Sequence, residues 1–142
     1  TKAVVVTHMR GRPAAGIELT AAGLNSRRVP LIEDCCQAWG VRGPERPIGS
    51  YGTVAVFSTQ TYKLIATGEG GLVASDDTQL LEAIRSLAGY PGPYQAGRFW
   101  PVNHRITELA AVLALPQLER LDALIGELRE LQAPMARVLT AV

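Results

Sequence analysis

The sequence has few lysines, few cysteines and no long apolar run, and the scarcity of these features excludes several classes of function. The chain has 14 basic and 13 acidic residues, and its formal net charge is +1. Such a balance provides no strongly basic surface for nucleic acid or an anionic membrane. No apolar stretch approaches the roughly 20 residues of a membrane-spanning helix, and no signal peptide is visible. We therefore expect a cytoplasmic protein without nucleic-acid or membrane partners.

The only two cysteines, Cys35 and Cys36, are adjacent. A bridge between neighbours is strained, so we expect a reduced protein. Their apolar surroundings are typical of inert buried thiols rather than of a nucleophile. The two histidines, His8 and His104, are far apart in sequence, and neither CxxC nor HExxH occurs. No metal site is therefore predicted.

Lys63 is the only lysine in the interior of the chain, because the other, Lys2, lies at its start. An arginine cannot replace a lysine that attacks a carbonyl group, since guanidinium does not lose its proton. A lysine can lose its proton and form a Schiff base. Lone lysines are more often ordinary surface residues, so a catalytic role for Lys63 requires partners.

The apolar patterns predict alternating strands and helices, as in a parallel sheet with crossover helices. Strands are expected at residues 3–7, 30–34 and 53–58, and a fourth after the glycine turn at 68–71; helices are expected at 14–28 and from Asp76 or Asp77 to Ala88. Thr107 should cap a long helical run that Pro116 kinks or splits. Beyond Pro116 the spacing of the apolar residues fits either a coiled coil or a long helix that packs on another domain.

Polar side chains follow two of the predicted strands. Asp34 ends the second strand and Ser58 the third, and ligands of open α/β sheets bind outside the carboxyl ends of the strands. With Lys63, they suit pyridoxal phosphate, which needs an amine for its aldehyde, a carboxylate at its ring nitrogen and donors for its phosphate. Gln37 suits the ring oxygen. Asp34 and Gln37 are also spaced as in a capping box at a helix start, and this alternative stays open.

These segments resemble the sugar aminotransferases of the DegT/DnrJ/EryC1/StrS family, which have the fold-type-I pyridoxal phosphate architecture. The resemblance runs through TKAVVVTHMRGRPA, PLIEDCCQAWG, IGSYGTVAVFS, the Lys63 segment with GEGG, and NHRITELAAVLALPQLERLD. It implies a three-layer α/β/α fold with a mostly parallel sheet that ends in a long C-terminal helix. Residues 1–115 would be part of the cofactor-binding large domain, and residues 116–142 a helix leading toward a small domain.

The resemblance also implies a role for each candidate site residue. Lys63 matches the Schiff-base lysine, and Asp34 matches the acid at the pyridine nitrogen. Gln37 matches the residue near the ring oxygen, and Ser58 matches a phosphate ligand. Asn103 matches an asparagine that reaches the cofactor phosphate of the partner subunit, which implies a homodimer with shared active sites.

The sequence departs from the family pattern in two respects. Cys35 and Cys36 stand where the family usually has two alanines, so a larger side chain is expected to press on the cofactor ring. The family's N-terminal segment, which carries a phosphate-binding turn and a stacking aromatic, has no counterpart here, and neither has its small domain. The isolated chain is therefore expected to hold about half of an active site and to be inactive.

The expected function of the parent protein is transfer of an amino group from glutamate or glutamine to a keto-sugar or keto-cyclitol, in amino-sugar or antibiotic biosynthesis. Gln60 lies shortly before Lys63, and this sequence pattern resembles that of the cyclitol and aminohydroxybenzoate branch of the family. Two alternatives stay open. One is a pyridoxal phosphate-dependent sugar dehydratase of the same fold, and the other is a non-catalytic fragment that serves dimerisation.

Overall fold

The order of secondary-structure elements follows the predicted alternation of strands and helices. The structure is a computed structural model that describes residues 1–89 and 103–139, with side chains up to residue 135. The elements are β1 (Val4–Thr7), α1 (Ile17–Asn25), β2 (Leu31–Asp34), β3 (Val54–Ser58), β4 (Gly71–Ala74), α2 (Thr78–Leu87), α3 (Glu108–Glu119) and α4 (Leu121–Leu139).

The four strands form one sheet in the order β1-β2-β3-β4. The first three strands are parallel, and β4 is antiparallel to β3. Thr7 pairs with Asp34, and Asp34 pairs with Val56, two residues before the end of β3. The carboxyl ends of three strands therefore meet at one edge, and the predicted α/β class with a mostly parallel sheet is confirmed.

Alternate residues of β2 face opposite sides of the sheet. Leu31 and Glu33 are buried, whereas Ile32 and Asp34 are only partly buried. The buried face packs on α1 in one apolar core, made by Ile17, Ala21, Leu31, Cys35, Ala38, Ile48, Tyr51 and Ala55. The adjacent acids Glu33 and Asp34 consequently lie in different surroundings, one in the core and one at the open edge.

The two predicted helix caps are confirmed. The Asp77 carboxylate accepts the N–H of Leu80 at 3.0 Å, and the Thr107 hydroxyl accepts the N–H of Ala110 at 3.2 Å. The first helix is shorter than predicted at its start, because Gly16 has a left-handed φ of 68° and the helical conformation begins only after it.

The helical run after Thr107 is interrupted at Arg120, not at Pro116. Helix α3 continues through Pro116 to Glu119. Next to the proline, the Gln117 amide donates to Leu113 O at 2.6 Å and to Ala66 O at 2.9 Å, and its oxygen accepts the N–H of Ala66 at 3.0 Å. The two bonds to Ala66 fasten the helix to the loop after β3.

Helix α4 packs its first turns against the chain after β2. A methyl group built on Gly40 would collide with Ile125 and lie 3.6 Å from Leu121, so the backbone at Gly40 lies directly under this helix. Among the helices that the structure describes, none is both long enough and apolar enough to cross a membrane.

Gly52 lies so close to β2 that it provides a stability test. A Cβ at Gly52 would lie 2.6 Å from Leu31 O and 3.3 Å from Glu33 Oε1. We expect Gly52→Ala to lower the free energy of unfolding by about 2 kcal/mol, because the backbone must shift to admit the methyl group. Urea unfolding measures this change. Gly23→Ala in α1, where the nearest atom is 3.6 Å away, is the control and should stabilise the chain slightly. Equal stability of the Gly52 variant and the parent would contradict the expectation.

Candidate active site

Lys63 lies on the loop of residues 59–70 that joins β3 to β4. The loop is held closed at its base, where the N–H of Thr59 donates to Gly70 O at 3.0 Å. The Thr59 side chain is fully buried, and its hydroxyl accepts the Thr67 hydroxyl at 2.8 Å. The lysine is thus presented on a loop whose two ends are fixed to each other.

Lys63 lines a cavity of about 390 Å³, a size typical of small-molecule sites. The other lining residues are Gly11, Cys36, Gln37, Trp39, Tyr62 and Leu64. The structure therefore brings together Lys63 and Gln37, two of the predicted site residues. A larger cavity, of about 710 Å³, lies between α1 and residues 45–53 and contains none of them.

Trp39 and Tyr62 are cavity residues that the sequence analysis missed. The Trp39 ring contacts Phe57, with the ring centroids 4.6 Å apart, and its Nε1–H donates to Ser58 O at 2.8 Å. Tyr62 is exposed and immediately precedes Lys63. Aromatic residues close in sequence to Gln37 and Lys63 were the available signal, because flat ligands favour aromatic walls.

Asp34 ends β2 at the edge of the sheet near this cavity. Its Oδ1 accepts the N–H of Cys36 at 3.0 Å, and its Oδ2 accepts the Thr7 hydroxyl at 3.4 Å. The donors of Cys36 lower the pKa of Asp34 below its ordinary value, and they outweigh the partial burial that opposes them. The carboxylate is therefore charged at neutral pH and can hold a proton on a ligand nitrogen.

The capping-box alternative for Asp34 and Gln37 is wrong, because no helix begins there and residues 35–40 form turns. The Asp34 carboxylate accepts the N–H of Cys36, two residues ahead, whereas a capping box uses the N–H three residues ahead. Gln37 instead binds the loop after β1: its Oε1 accepts the N–H of Arg10 at 3.2 Å, and its backbone carbonyl accepts the N–H of Gly11 at 2.8 Å.

Ser58 and Asn103 lie outside the lining of the Lys63 cavity. Ser58 ends β3, and its hydroxyl accepts the N–H of Gln60 at 3.3 Å. Asn103 lines a separate cavity of about 300 Å³ before α3, and its side-chain oxygen accepts Arg105 Nε–H at 3.0 Å. Ser58 thus shares the sheet edge with Asp34, while Asn103 lies on a different surface from the other predicted site residues.

A comparison with known families shows to which family this chain belongs. The profile of the DegT/DnrJ/EryC1/StrS aminotransferase family matches residues 1–142. The chain belongs to this family. The resemblance inferred from the motifs is therefore confirmed over the whole length of the sequence.

Individual relatives agree with this assignment. The chain is 33% identical over 135 residues to a GDP-perosamine synthase of Escherichia coli O157:H7, and the match covers 92% of this chain and 36% of that protein. It is 35% identical over 136 residues to an L-glutamine:2-deoxy-scyllo-inosose aminotransferase of Streptomyces lividus, and here 87% of this chain and 32% of that protein are covered.

Solved structures show the same fold. The aminotransferase TlmJ from Streptoalloteichus hindustanus superposes with a TM-score of 0.82 at 31% identity, over 99% of this chain and 39% of that one. The chain spans about a third of the length of the curated relatives that it matches.

The two cysteines that depart from the family pattern have different surroundings. Cys35 is fully buried in the core, whereas Cys36 lines the cavity with Lys63. Burial raises the pKa of the Cys36 thiol to about 11, with a further contribution from the Asp34 carboxylate, and burial raises that of Cys35 to about 12. A larger side chain than alanine therefore enters the cavity only at Cys36.

His8, Glu33 and Cys35 form a buried cluster that the sequence analysis missed. Their ligating atoms lie within 4.8 Å of one another. However, both nitrogens of His8 and both carboxylate oxygens of Glu33 already take part in hydrogen bonds. His8 and Glu33 are therefore organised as a hydrogen-bond network.

We expect the Cys36 thiol to be unusually slow to alkylate. A pKa of about 11 leaves a thiolate fraction at pH 7.5 that is on the order of a hundredfold below that of a free cysteine. Iodoacetamide labelling, followed by peptide mass analysis between pH 7 and 11, should show a rate that is still rising at pH 10. The Cys36→Ala variant is the control, because the remaining buried Cys35 should take no label. A rate that levels off near pH 8.5 would contradict the raised pKa.

Proposed function

We propose that this chain is the lysine-bearing part of a pyridoxal phosphate-dependent aminotransferase. The enzyme would move an amino group from glutamate or glutamine to a keto-sugar or keto-cyclitol. The observation that carries the proposal is the cavity shared by Lys63 and Gln37 beside the charged Asp34 carboxylate. Family membership supports the reaction class.

The residues around the cavity fit the proposed cofactor. Lys63 provides the only lysine amine in the interior of the chain for a covalent bond to the cofactor. Asp34 provides a carboxylate with a lowered pKa for the ring nitrogen, and Gln37 provides an amide for the ring oxygen. Ser58 ends the neighbouring strand and offers a hydroxyl for the phosphate. When bound, pyridoxal 5′-phosphate supplies an electron-withdrawing ring that stabilises negative charge on the substrate carbon.

The chain's own groups would bind the substrate's reacting part and move its proton. Lys63 Nζ would accept the proton from the substrate carbon and later return one, as a general base and acid. Asp34, which stays ionised at neutral pH, would hold the ring proton. Trp39 lines the same cavity and would limit the access of water to this proton transfer.

The substrate class is inferred from what the relatives are named. One is an L-glutamine:2-deoxy-scyllo-inosose aminotransferase, and another is a GDP-perosamine synthase. Both names fit an amino group placed on a polyhydroxylated ring. We propose the same class of acceptor here, with glutamine or glutamate as the donor and with amino-sugar or antibiotic biosynthesis as the setting, in the cytoplasm.

We further propose that the complete protein is a homodimer with shared active sites. The position of Asn103 outside the Lys63 cavity supports its use by the partner's site. Helix α3, which follows Asn103, leaves Leu109, Val112 and Leu115 between 60% and 71% exposed, and apolar surfaces of this kind mark interfaces. In this arrangement residues 1–115 belong to the large domain, and residues 116–142 lead toward a small domain.

Nitrogen labelling tests the proposed reaction. The complete protein is supplied with cofactor, glutamine or glutamate labelled at the amino nitrogen, and a panel of keto-sugars and keto-cyclitols. We expect the label to appear in an amino-sugar or aminocyclitol, because Lys63 can return the proton that completes amino transfer. Mass spectrometry of the products measures the transfer.

Other outcomes would identify the alternatives. An unlabelled deoxy product, formed at a rate that ignores the amino donor, would establish a dehydratase. No turnover, in a dimer that also fails to bind the cofactor, would establish a non-catalytic module. The Lys63→Ala variant is the control for background chemistry of the free cofactor.

A further inference from the structure

His8 and Glu33 form a pair of polar residues that is completely shielded from solvent. Both side chains are 0% exposed, and His8 Nε2 lies 3.1 Å from Glu33 Oε2. His8 follows β1, and Glu33 lies in β2 on the face opposite to Asp34. Burying such groups is costly unless all their hydrogen bonds are made. None of the steps of the proposed reaction uses this pair.

The hydrogen bonds of His8 determine its tautomer. The backbone N–H of Ala14 donates to Nδ1 at 3.0 Å, so Nδ1 carries a lone pair and not a proton. The ring proton therefore lies on Nε2 and is donated to Glu33. His8 is a neutral link between Glu33 and the residue that follows the β1 loop.

The Glu33 carboxylate is saturated with donors. Besides His8, it accepts the backbone N–H of Gly49 at 2.9 Å, that of Tyr51 at 2.7 Å and that of Gly52. Four donors hold the carboxylate in a single orientation. Glu33 in turn holds the His8 ring, because the ring's only N–H is directed at it.

His8 anchors both ends of the loop of residues 9–13. Its backbone N–H donates to Asp34 O at 2.9 Å, and its ring accepts the N–H of Ala14. Between these anchors, the N–H groups of Arg10 and Gly11 bind Gln37. Gly11 and Gln37 are both part of the wall of the Lys63 cavity.

We propose that His8 is a positioning residue that fixes the cavity wall for the cofactor, and that Glu33 holds the His8 ring in the orientation that this requires. They touch neither the cavity nor Lys63 and act through the 9–13 loop, which holds Gln37 in place. The inference rests on the proposed function, since it takes this cavity as the place where pyridoxal phosphate binds.

Two substitutions of His8 separate its two side-chain bonds. The amide nitrogen of His8→Gln reaches the position of Nε2 and keeps the bond to Glu33, but it releases Ala14. The side chain of His8→Asn places an acceptor near the Nδ1 position and keeps Ala14, but it cannot reach Glu33. His8→Asn also leaves a small void, so it should be the less stable of the two variants.

The first measurement is made on the complete protein without cofactor. Hydrogen exchange of the peptide that covers residues 9–13 should be about tenfold faster in His8→Gln than in the parent, because one end of the loop is free. In His8→Asn it should stay within about threefold of the parent. Equal exchange of this peptide in His8→Gln and the parent would overturn the proposal, whether or not the cofactor binds.

The second measurement is the rate at which the loaded protein releases its cofactor, followed by absorbance after dilution into a scavenger. We expect about tenfold faster release for His8→Gln and less than threefold for His8→Asn. The control is Thr53→Val, which removes the acceptor of a 3.3 Å bond from the N–H of Leu31 at the other end of the sheet.

The two readouts distinguish the possible failures. If release follows thermal stability in all three variants, His8 and Glu33 are only structural and the proposal is wrong. If His8→Asn does not fold, the comparison of His8→Gln with Thr53→Val decides the same question. If the parent takes up no cofactor, the proposed function fails, while the exchange measurement still tests the loop.

Discussion

Lys63→Ala is expected to abolish covalent attachment of the cofactor and to lower amino transfer by a factor of about 10³ or more, since a positioned general base alone contributes 10² to 10⁴. Lys63 is the one lysine on the cavity wall. Borohydride reduction of the loaded parent protein, followed by peptide mass analysis, should place the adduct on the Lys63 peptide.

Two variants serve as controls for Lys63. Lys2→Ala removes the other lysine of this chain and should leave both the adduct and the rate unchanged. Lys63→Arg keeps the positive charge but offers no amine that can lose its proton, so it should be as inactive as Lys63→Ala. An adduct that persists in Lys63→Ala would overturn the assignment.

Asp34→Asn is expected to retain the cofactor but to lower the rate of amino transfer by about 10² to 10³. Asparagine is close in size to aspartate, yet it carries no charge to hold a proton on the ring nitrogen. Cofactor occupancy is measured by absorbance, and the rate by product formation. Asp122→Asn, an exposed acid in the first turn of α4, is the matched control and should behave like the parent.

The lowered pKa of Asp34 also predicts a pH dependence. The folded-state pKa of Asp34 lies below its ordinary value of 3.8. The stabilisation that the charged carboxylate provides is therefore fully present above pH 3.8. It is lost only as the pH falls through the folded-state pKa. Acid-induced release of the cofactor should therefore have a component below pH 3.8 that Asp34→Asn lacks. A component with a midpoint near pH 6 would mean that another group controls release.

The strands and the positions of most candidate residues could be predicted because their signals are local. Short β-branched runs indicated β1 and β3, and the polar residues that end β2 and β3 indicated the edge of the sheet where the candidate site was expected. The parallel pairing then placed Asp34 and Ser58 on that edge. Lys63 was identifiable because lysine is so scarce in this sequence.

The remaining features depend on contacts between distant parts of the chain. Nothing near Glu33 indicates that its carboxylate binds His8, which lies 25 positions away, or the backbone of residues 49–52. The continuation of α3 through Pro116 likewise depends on the bonds between Gln117 and Ala66, 51 positions apart. Local propensity alone predicts a break at the proline, whereas the helical run breaks at Arg120.

The adjacent acids of β2 have a consequence for the fidelity of folding. A slip of β2 by one residue would turn every side chain to the opposite face of the sheet. Asp34 would then face the backbone donors of Gly49, Tyr51 and Gly52, which its shorter side chain is less able to reach, and Glu33 would lie at the open edge of the sheet. Because Glu33 in the observed register accepts all three of these N–H groups, the buried acid favours this alignment over the slipped one. The register that buries Glu33 is the same register that leaves Asp34 at the open edge.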